Sequence, residues 1–280
     1  MISKKTVKKI GLYITVVVMA VYCLWPFYFL LNASLQPTKM AYQSPPVIYP
    51  KAFTLSNYIN VFRSIPLSRY LLNSVVVSSF GTLLALFAGS LCAFAISKLI
   101  RRNKGEVMLD LLIIVGFFPM VVALFPLYKL MRSLNLLNNY LGLILPYAAF
   151  NLPLTVWVMT THFDSLPSEL YDAAIVDGAS VFKIFNKIML PLSAPALATV
   201  GILNFISCWN EFMLALTFMT NKYMYTVTVG LSLISGRFTF QFPWGEIIAG
   251  TLIVTVPLVI VVLIAQEKII SGLTAGALKG

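Results

Sequence analysis

Charged residues are scarce in this 280-residue sequence, which contains 20 Lys and Arg and 9 Asp and Glu. Together they make up 10% of the chain, whereas soluble proteins average about 25%. A soluble protein of this size could not cover its surface with so few charges. Apolar residues reach 59%, and the mean hydropathy is +0.89. The composition excludes disordered and collagen-like chains and favours an integral membrane protein.

Cysteine and histidine are also scarce. The three cysteines lie far apart inside apolar stretches, without a C-x-x-C pair, at Cys23, Cys92 and Cys208. His162 is the only histidine and cannot form a histidine-based metal site alone. The cysteines are typical of small apolar side chains, so we expect neither a disulfide framework nor a metal site.

Motifs for nucleotide binding and hydrolysis are missing as well. The chain has no G-x-x-x-x-G-K-[ST] loop, so we expect it not to bind ATP itself. It has no G-x-S-x-G, no H-x-x-x-D and no pair of aspartates within an apolar segment. The sequence therefore predicts no catalytic residues, no cofactor bound by this chain, and a protein that is not an enzyme.

Six segments are long and apolar enough to cross a bilayer, which takes about 20 residues each. They are residues 10–31, 71–99, 107–130, 140–161, 190–218 and 245–265. The first follows four lysines, as in a signal peptide, but it is too long for one and has no A-x-A site. We therefore predict a single transmembrane domain over residues 1–280 with an uncleaved first span.

Basic residues set the predicted orientation. With the N-terminus inside, the segments 1–9, 98–106, 163–189 and 266–280 hold twelve Lys and Arg, against seven outside. Cytoplasmic segments carry the excess of positive charge, so both termini are predicted to be cytoplasmic. The net charge of +11 fits this distribution. No basic face interleaved with aromatic residues lies in a soluble segment, so the predicted partner is the bilayer and no nucleic acid is expected.

Six of the prolines inside the predicted spans, spread over four spans, indicate interrupted helices. They are Pro119, Pro126, Pro146, Pro153, Pro195 and Pro257. Each removes a backbone hydrogen bond, which lipid cannot replace, so such breaks are tolerated where they face protein or a water-filled cavity. Their number favours a translocation path. The polar loop 32–70 is predicted to form short helices over the outer face, one of them beginning near Asn57.

The loop 163–190 predicts a cytoplasmic helix–turn–helix. Ser168 and Ser180 are candidate N-caps, and Gly178 after Asp177 can take the left-handed conformation that ends a helix. Phe182, Phe185 and Met189 would form one apolar face, with Lys183, Asn186 and Lys187 on the other, and Pro191 would end the second helix. From the residues alone, an amphipathic connector lying on the lipid surface remains open.

The pattern Asp172-Ala173-Ala174-x-x-Asp177-Gly178-Ala179, followed by Phe185, Ile188, Leu190-Pro191 and Pro195, resembles the EAA loop of ABC-importer permeases. The resemblance implies an all-α integral membrane protein with the six transmembrane helices of the type I importer fold. In it, the loop between spans four and five is the coupling helix that docks on a cytoplasmic ATPase. The implied contacts are Asp172, Ala173, Ala174, Asp177, Gly178, Ala179, Phe182 and Phe185. The family's leading Glu is Asp172 here, a shorter carboxylate.

The C-terminal sequence resembles the ending of maltose-type carbohydrate permeases, specifically the six-span subunit of the pair. The resemblance implies that Gly272, Gly276 and Lys279 of this tail contact the ATPase. Trp209-Asn210-Glu211-Phe212, Trp244-Gly245-Glu246 and Phe53-Thr54-Leu55-Ser56-Asn57-Tyr58 resemble the same group. In the resembling complexes, a second permease forms a heterodimer with this subunit, two ATPase copies bind ATP and Mg, and an extracytoplasmic binding protein delivers substrate.

The resemblance thus predicts a multi-pass subunit of a prokaryotic cell-membrane importer for a di- or oligosaccharide. A polyol, a glycosylated compatible solute or a glycerol phosphate compound is the alternative cargo, and an ATP-independent secondary carrier is the alternative class. Sugar sites combine aromatic faces with amide and carboxylate hydrogen bonds. The candidates for the substrate path are Tyr147, Asn151, Asn204, Trp209, Asn210 and Glu211. Asn and Glu side chains that only join facing helices are the competing interpretation.

Overall fold

The computed structural model describes residues 4–37, 40, 48–50, 52–100, 102–235 and 242–277, without the side chains of 4–7, 102, 235 and 265–277. These residues form helices and no strand, which confirms the all-α prediction. The helices are α1 Lys4–Ser34, α2 Ser56–Ser64, α3 Leu67–Phe94, α4 Arg102–Gly116, α5 Met120–Ser133, α6 Leu141–Ser165, α7 Ser168–Val176, α8 Val181–Ile184, α9 Leu190–Leu192, α10 Ala194–Asn210, α11 Met213–Phe218, α12 Val227–Ser235 and α13 Trp244–Ala277.

Two π-helical turns and one 3₁₀ turn complete the described elements. The π-turn Ala95–Leu99 extends α3, and the π-turn Phe185–Met189 joins α8 to α9. The 3₁₀ turn Lys222–Met224 precedes α12. Such π-turns insert one extra residue into a helix and occur frequently at functional sites.

Four helices in the described part of the chain are long and apolar enough to cross a membrane. They lie at Lys8–Ser34, Leu67–Leu99, Leu141–Ser165 and Trp244–Ile264. Two further apolar stretches are bent pairs, with an angle of 89° between Asn103–Gly116 and Met120–Ser133 and of 78° between Val181–Leu192 and Ala194–Asn210. The chain has up to six spans if each bent pair counts as one.

The bends of both pairs lie next to prolines, as predicted for interrupted spans. Pro119 precedes α5, and Pro195 lies in the first turn of α10, where a missing N–H costs nothing. Pro191 does not end the preceding helix as predicted, because α9 runs through it to Leu192 and the bend follows at Ser193. A further break separates α10 from α11 at Glu211 and Phe212. The predicted segment 190–218 is therefore three helices rather than one.

The chain forms two compact units, residues 1–67 with 230–256 and residues 68–229 with 257–280. In the second unit, one cluster of buried apolar side chains joins the ends of α3 and α6 to the segment from α7 to α10. Phe94, Phe163 and Phe185 lie at its centre, with the Phe94 ring 5.2 Å from that of Phe185 and 6.0 Å from that of Phe163.

In the first unit, Asn57 ties the polar loop after α1 to α2. Its Nδ2 donates to the carbonyl oxygens of Ser34, at 2.8 Å, and Gln36, at 2.7 Å. The Ser64 hydroxyl donates to the Glu246 carboxylate of α13 at 3.1 Å. Gly245 lies against the same asparagine, since a Cβ there would come within 2.5 Å of Asn57 Oδ1.

We expect Gly245→Ala to destabilise the protein, because the added methyl group forces the buried Asn57 amide off its two carbonyl partners. Overpacking of this kind costs about 1–3 kcal/mol. Thermal unfolding of the detergent-purified chain measures the loss. Gly11→Ala is the matched control, since a Cβ at that helical glycine meets nothing within 4 Å. Equal unfolding temperatures for the two variants would contradict the expectation.

Candidate functional site

The segment from α7 to α8 forms a helix–turn–helix, as predicted. Gly178 has φ +74°, the left-handed region that favours glycine. The Ala179 N–H donates to the Ala174 carbonyl at 3.0 Å, and the Gly178 N–H donates to that of Ile175 at 2.9 Å. This pair of bonds is the Schellman motif, which satisfies the last carbonyls of a helix and fixes the turn that follows.

The two predicted N-caps differ. Ser180 caps α8, since its hydroxyl oxygen accepts from the Lys183 N–H at 3.4 Å. The prediction for Ser168 is wrong, because α7 already includes Ser168 and its cap is Pro167, without a side-chain hydrogen bond.

The base of this loop is anchored by apolar side chains. Ala174, Ile184, Phe185 and Met189 are buried in the cluster that contains Phe94. Tyr171 also packs its ring 6.2 Å from that of Phe94. Because Phe94 belongs to α3, the loop is packed against the end of a long apolar helix rather than hanging from a flexible linker.

The tip of the loop is apolar and uncovered. Val176 is 87% exposed and Phe182 is 65% exposed, with Ile175 and Val181 also on the surface. The Phe182 ring lies 6.5 Å from that of Phe185, as the predicted apolar face requires, but Phe182 is exposed whereas Phe185 and Met189 are buried. Asp172, Ala173 and Asp177 are exposed beside these apolar side chains. We call the seven exposed residues the loop tip; they are Asp172, Ala173, Ile175, Val176, Asp177, Val181 and Phe182.

The predicted substrate-path residues lie along α6, α10 and the break that follows, where several are paired with one another. The Tyr147 hydroxyl donates to the Glu211 carboxylate at 2.7 Å. That carboxylate also accepts the N–H groups of Leu214, at 2.7 Å, and Ala215, at 3.1 Å. Glu211 thereby satisfies the first turn of α11, where the helix dipole favours an anion.

The two predicted asparagines of α6 and α10 are buried between helices. Asn204 Nδ2 donates to the Thr155 hydroxyl at 2.8 Å. Asn151 Nδ2 donates to the Tyr147 carbonyl at 2.8 Å and lies 3.4 Å from the Cys208 sulfur. These contacts match the competing interpretation, in which amide side chains join facing helices.

The remaining two candidates differ in exposure. Trp209 is buried, with its ring stacked on that of Phe205 at 5.7 Å. Asn210 is exposed and bonds only to the Ile206 carbonyl one turn earlier. Among the six candidates, Asn210 is the one whose side chain is exposed in this chain. Contact of these residues with substrate stays a prediction.

The structure adds polar residues that the sequence reasoning missed. The Thr228 hydroxyl donates to the Glu211 carbonyl at 2.8 Å. Asn73 Nδ2 donates to the carbonyls of Tyr223 and Tyr225, both at 2.9 Å, and Asn73 Oδ1 accepts the Tyr140 hydroxyl at 2.7 Å. The partners of Asn73 are more than 60 residues away along the chain, so no local pattern could have paired them.

Asn138 is a further missed residue, and here a local signal exists. Its φ is +56°, and its Oδ1 accepts the N–H groups of Thr220 and Asn221, both at 2.8 Å. Asparagine is enriched in left-handed turns, so Asn138-Asn139 between two apolar helices could have indicated a tight corner. Among the described residues, no group of three or more His, Cys, Asp or Glu could hold a metal ion.

The candidate ATPase-contacting tail is a continuation of α13, whose helix runs to Ala277. Gly272 and Gly276 lie on this helix, and Lys279 lies outside the described residues. Contact of the three residues with an ATPase stays a prediction.

Comparison with known proteins identifies the family. The sequence profile described as "Binding-protein-dependent transport system inner membrane component" matches residues 52–274. The trehalose/maltose transport system permease protein MalG of Thermococcus litoralis is 39% identical over 280 residues, which cover 99% of both chains. The sulfoquinovosyl glycerol transport system permease protein SmoH of Agrobacterium fabrum is 39% identical over 257 residues, 92% of this chain and 89% of the relative.

A solved structure carries the same fold. A chain of a bacterial ABC transporter involved in the import of the acidic polysaccharide alginate matches with a TM-score of 0.78 and 23% identity. The match covers 95% of this chain and 98% of that one, which confirms the predicted importer-permease fold. The chain is a multi-pass membrane protein and a transport component. It belongs to the family of binding-protein-dependent transport system inner membrane components.

Proposed function

We propose that this chain is one of two permease subunits of an ATP-driven importer and that its loop tip docks on a cytoplasmic ATPase. The observation that carries this proposal is the exposed apolar tip on a buried base. Val176 and Phe182 are exposed, while Phe185 and Met189 anchor the same loop in the core. Large exposed apolar side chains gathered at the tip of a helix–turn–helix mark an interaction site.

The energy source is a separate subunit, since the sequence has no phosphate-binding loop. Two copies of the ATPase bind ATP and Mg, and this chain hydrolyses none. The second permease supplies the other half of the path. An extracytoplasmic binding protein delivers the substrate. A bacterial alginate ABC transporter that contains a chain of similar fold is solved in complex with an alginate pentasaccharide-bound periplasmic protein, which supports a partner of this kind. Both termini and the loop tip lie in the cytoplasm, in agreement with the basic residues of the inside segments.

The packing suggests how ATPase motion reaches the membrane. Closure of the ATPase dimer moves the loop tip, and the tip carries Phe185 with it. Because the Phe185 ring packs on Phe94 and Phe94 on Phe163, the ends of α3 and α6 move too. The path then alternates between inward-open and outward-open states. By linkage, loaded binding protein must favour the conformation that ATP favours.

The cargo is a carbohydrate, by similarity to relatives named for trehalose and maltose. A glycosyl glycerol is the second candidate, which the equally similar permease SmoH for sulfoquinovosyl glycerol favours. Of the six predicted path residues in this chain, we propose Asn210 as the one that reaches substrate, because its amide is exposed and bonded only within its own helix.

Co-purification from membranes tests the proposal. We expect an ATPase and a second permease to accompany the tagged chain, and sugar-loaded binding protein to stimulate hydrolysis by the complex. The candidate sugars are trehalose, maltose and sulfoquinovosyl glycerol, each tested with the binding protein. The sugar that stimulates identifies the cargo.

Two loop variants sharpen the test. Asp172→Lys reverses an exposed charge of the loop tip, and Gly178→Pro cannot adopt φ +74°, so both should release the ATPase. Gly11→Ala serves as the control, because its site is open and lies in α1. A chain that purifies alone and transports sugar into ATP-free vesicles would instead be an independent secondary carrier.

A further inference from the structure

Acidic residues are absent from one side of the predicted membrane topology. The segments 32–70, 131–139 and 219–244, which the predicted orientation places outside, contain seven Lys and Arg and no Asp or Glu. The four inside segments contain twelve Lys and Arg together with six Asp and Glu. The positive-inside rule concerns the opposite side and gives acidic residues little weight, so it does not explain an outer face whose charge is of one sign.

The structure gathers part of this charge in one place. Arg69 lies near the start of α3, and its Nε donates to the Tyr223 carbonyl at 3.5 Å. The Lys222 Nζ lies 5.0 Å from the centre of the Tyr223 ring. Arg132 lies in the last turn of α5, before the turn at Asn138, whose side chain binds the segment that precedes Lys222. Arg69, Arg132, Lys222 and Tyr223 are exposed, and we call these four residues the basic corner.

The segment that carries Lys222 and Tyr223 is fixed by side-chain hydrogen bonds. Asn73 Nδ2 of α3 donates to the carbonyl oxygens of Tyr223 and Tyr225, both at 2.9 Å. Asn221 Oδ1 accepts the Tyr223 N–H at 3.0 Å. Ordering a side chain during association costs about 0.5–1.5 kcal/mol, so a segment that is ordered beforehand binds at a lower cost. The basic corner is therefore preorganised for a contact.

The basic corner lies at the opposite end of α3 from the loop tip. Phe94 packs on Phe185 at the base of the loop, and Arg69 lies 25 residues earlier on the same helix. At 1.5 Å per residue this separation is about 38 Å, which exceeds the thickness of the hydrocarbon core, about 30 Å. With the loop tip in the cytoplasm, the basic corner lies on the outer face.

Composition and charge define the partner that fits this surface. Tyrosine and arginine are enriched at protein–protein interfaces, and Tyr223 is 54% exposed. An outer face without carboxylates attracts an acidic protein surface and repels a basic one. We propose that the basic corner receives an acidic surface of the extracytoplasmic binding protein and steers that protein onto the permease. This assignment rests on the proposed function, which supplies both the binding protein and the orientation of the chain.

Steering of this kind predicts which step of docking the charges control. Complementary charges at the rim of an interface raise the association rate, whereas the dissociation rate depends on the contacts at its centre. Salt screens exposed charges within about 8 Å at physiological ionic strength, and within about 3 Å at 1 M. Loss of the basic corner should therefore slow association at low salt and have little effect at high salt.

Association kinetics test the proposal. The probe is the sugar-loaded binding protein that stimulates ATP hydrolysis in the co-purification experiment, and its target is the assembled complex in phosphatidylcholine nanodiscs. We expect the double variant Arg69→Glu/Lys222→Glu to lower the association rate constant about tenfold at about 0.02 M salt and less than about twofold at about 0.5 M salt. The dissociation rate constant, and the rate of ATP hydrolysis at saturating binding protein, should stay unchanged.

Graded and control variants make this result specific. Arg69→Gln/Lys222→Gln removes the two charges without reversing them, so the logarithm of the association rate should fall by about half as much. Lys104→Glu is the matched control, because it reverses an exposed charge beside Gly105, which lies against the π-turn at the far end of α3. An unchanged association rate in the Glu double variant at low salt would overturn the proposal. Continued stimulation of ATP hydrolysis would then leave the proposed function intact.

Two further arms separate the other sources of negative charge. We expect the same loss of association rate in phosphatidylcholine nanodiscs and in nanodiscs that also contain phosphatidylglycerol, and the same factor for sugar-loaded and sugar-free binding protein. A loss confined to phosphatidylglycerol nanodiscs would show that the basic corner acts on anionic lipid. A loss confined to the loaded form would show that it attracts an anionic cargo. Either result would overturn the proposal.

Discussion

Replacing Val176 and Phe182 together by aspartate should release the ATPase from this permease and stop sugar uptake. Both side chains are exposed on the loop tip, so the folded chain loses no core packing. In the complex the two charges would have to enter an apolar interface, and the chain would lose its two largest exposed apolar contacts there. An interface hot spot is worth about 2 kcal/mol, so the pair should weaken docking about 1,000-fold.

Retention of the ATPase on the tagged permease during purification measures this effect, with vesicle uptake as the second readout. Phe182→Leu is the control for shape and apolar character and should retain the ATPase. Phe185→Asp is the contrasting variant. This side chain is buried, so the substitution should destabilise the folded chain rather than weaken docking alone. Full ATPase retention by the doubly charged variant would show that the loop tip is not the docking surface.

Glu211→Ala should destabilise the permease even when no sugar is present. Three hydrogen bonds end on this carboxylate, from the Tyr147 hydroxyl and from the N–H groups of Leu214 and Ala215. A hydrogen bond to a charged group contributes about 1.5–3 kcal/mol, and the buried partners would be left unpaired. We expect a loss of about 3 kcal/mol in the free energy of unfolding, measured by denaturation in detergent.

Tyr147→Phe and the double variant complete a mutant cycle that isolates the bond between the two side chains. We expect a coupling of about 1 kcal/mol or more, as for residues in direct contact. Asn210→Ala is the control, since its exposed amide bonds only to the Ile206 carbonyl of its own helix, and stability should change by less than about 0.5 kcal/mol. An unchanged stability of Glu211→Ala, combined with a raised KM for sugar, would return Glu211 to the substrate path.

The parts of this fold that the sequence predicts well are local. Gly178 after Asp177 predicts a helix that ends in the left-handed conformation, and the structure has φ +74° at that residue. Ser180 three residues before Lys183 is equally local, and its cap is present. The apolar segments follow from composition alone, because lipid leaves so few alternatives to a long helix.

The parts that the sequence predicts poorly depend on distant partners. No local pattern in the sequence shows that the Glu211 carboxylate accepts the Tyr147 hydroxyl, because the two residues are 64 positions apart. Hydropathy does not reveal the bends at Phe118 and Ser193 either, because a straight apolar stretch and a broken one have the same mean hydropathy. Phe182 is a third case, since its ring lies 6.5 Å from that of the buried Phe185 and yet the side chain stays exposed.

The aromatic contact of Phe94 with Phe163 and Phe185 has a consequence for opening dynamics. Since the ends of α3 and α6 and the base of the loop share this one cluster, they should lose amide protection together rather than separately. Hydrogen exchange would then report one cooperative unit made of the buried residues of this cluster, with the loop tip exchanging faster. A displacement of the loop tip would therefore move the ends of α3 and α6 together with the base of the loop, because none of the three can shift without the other two.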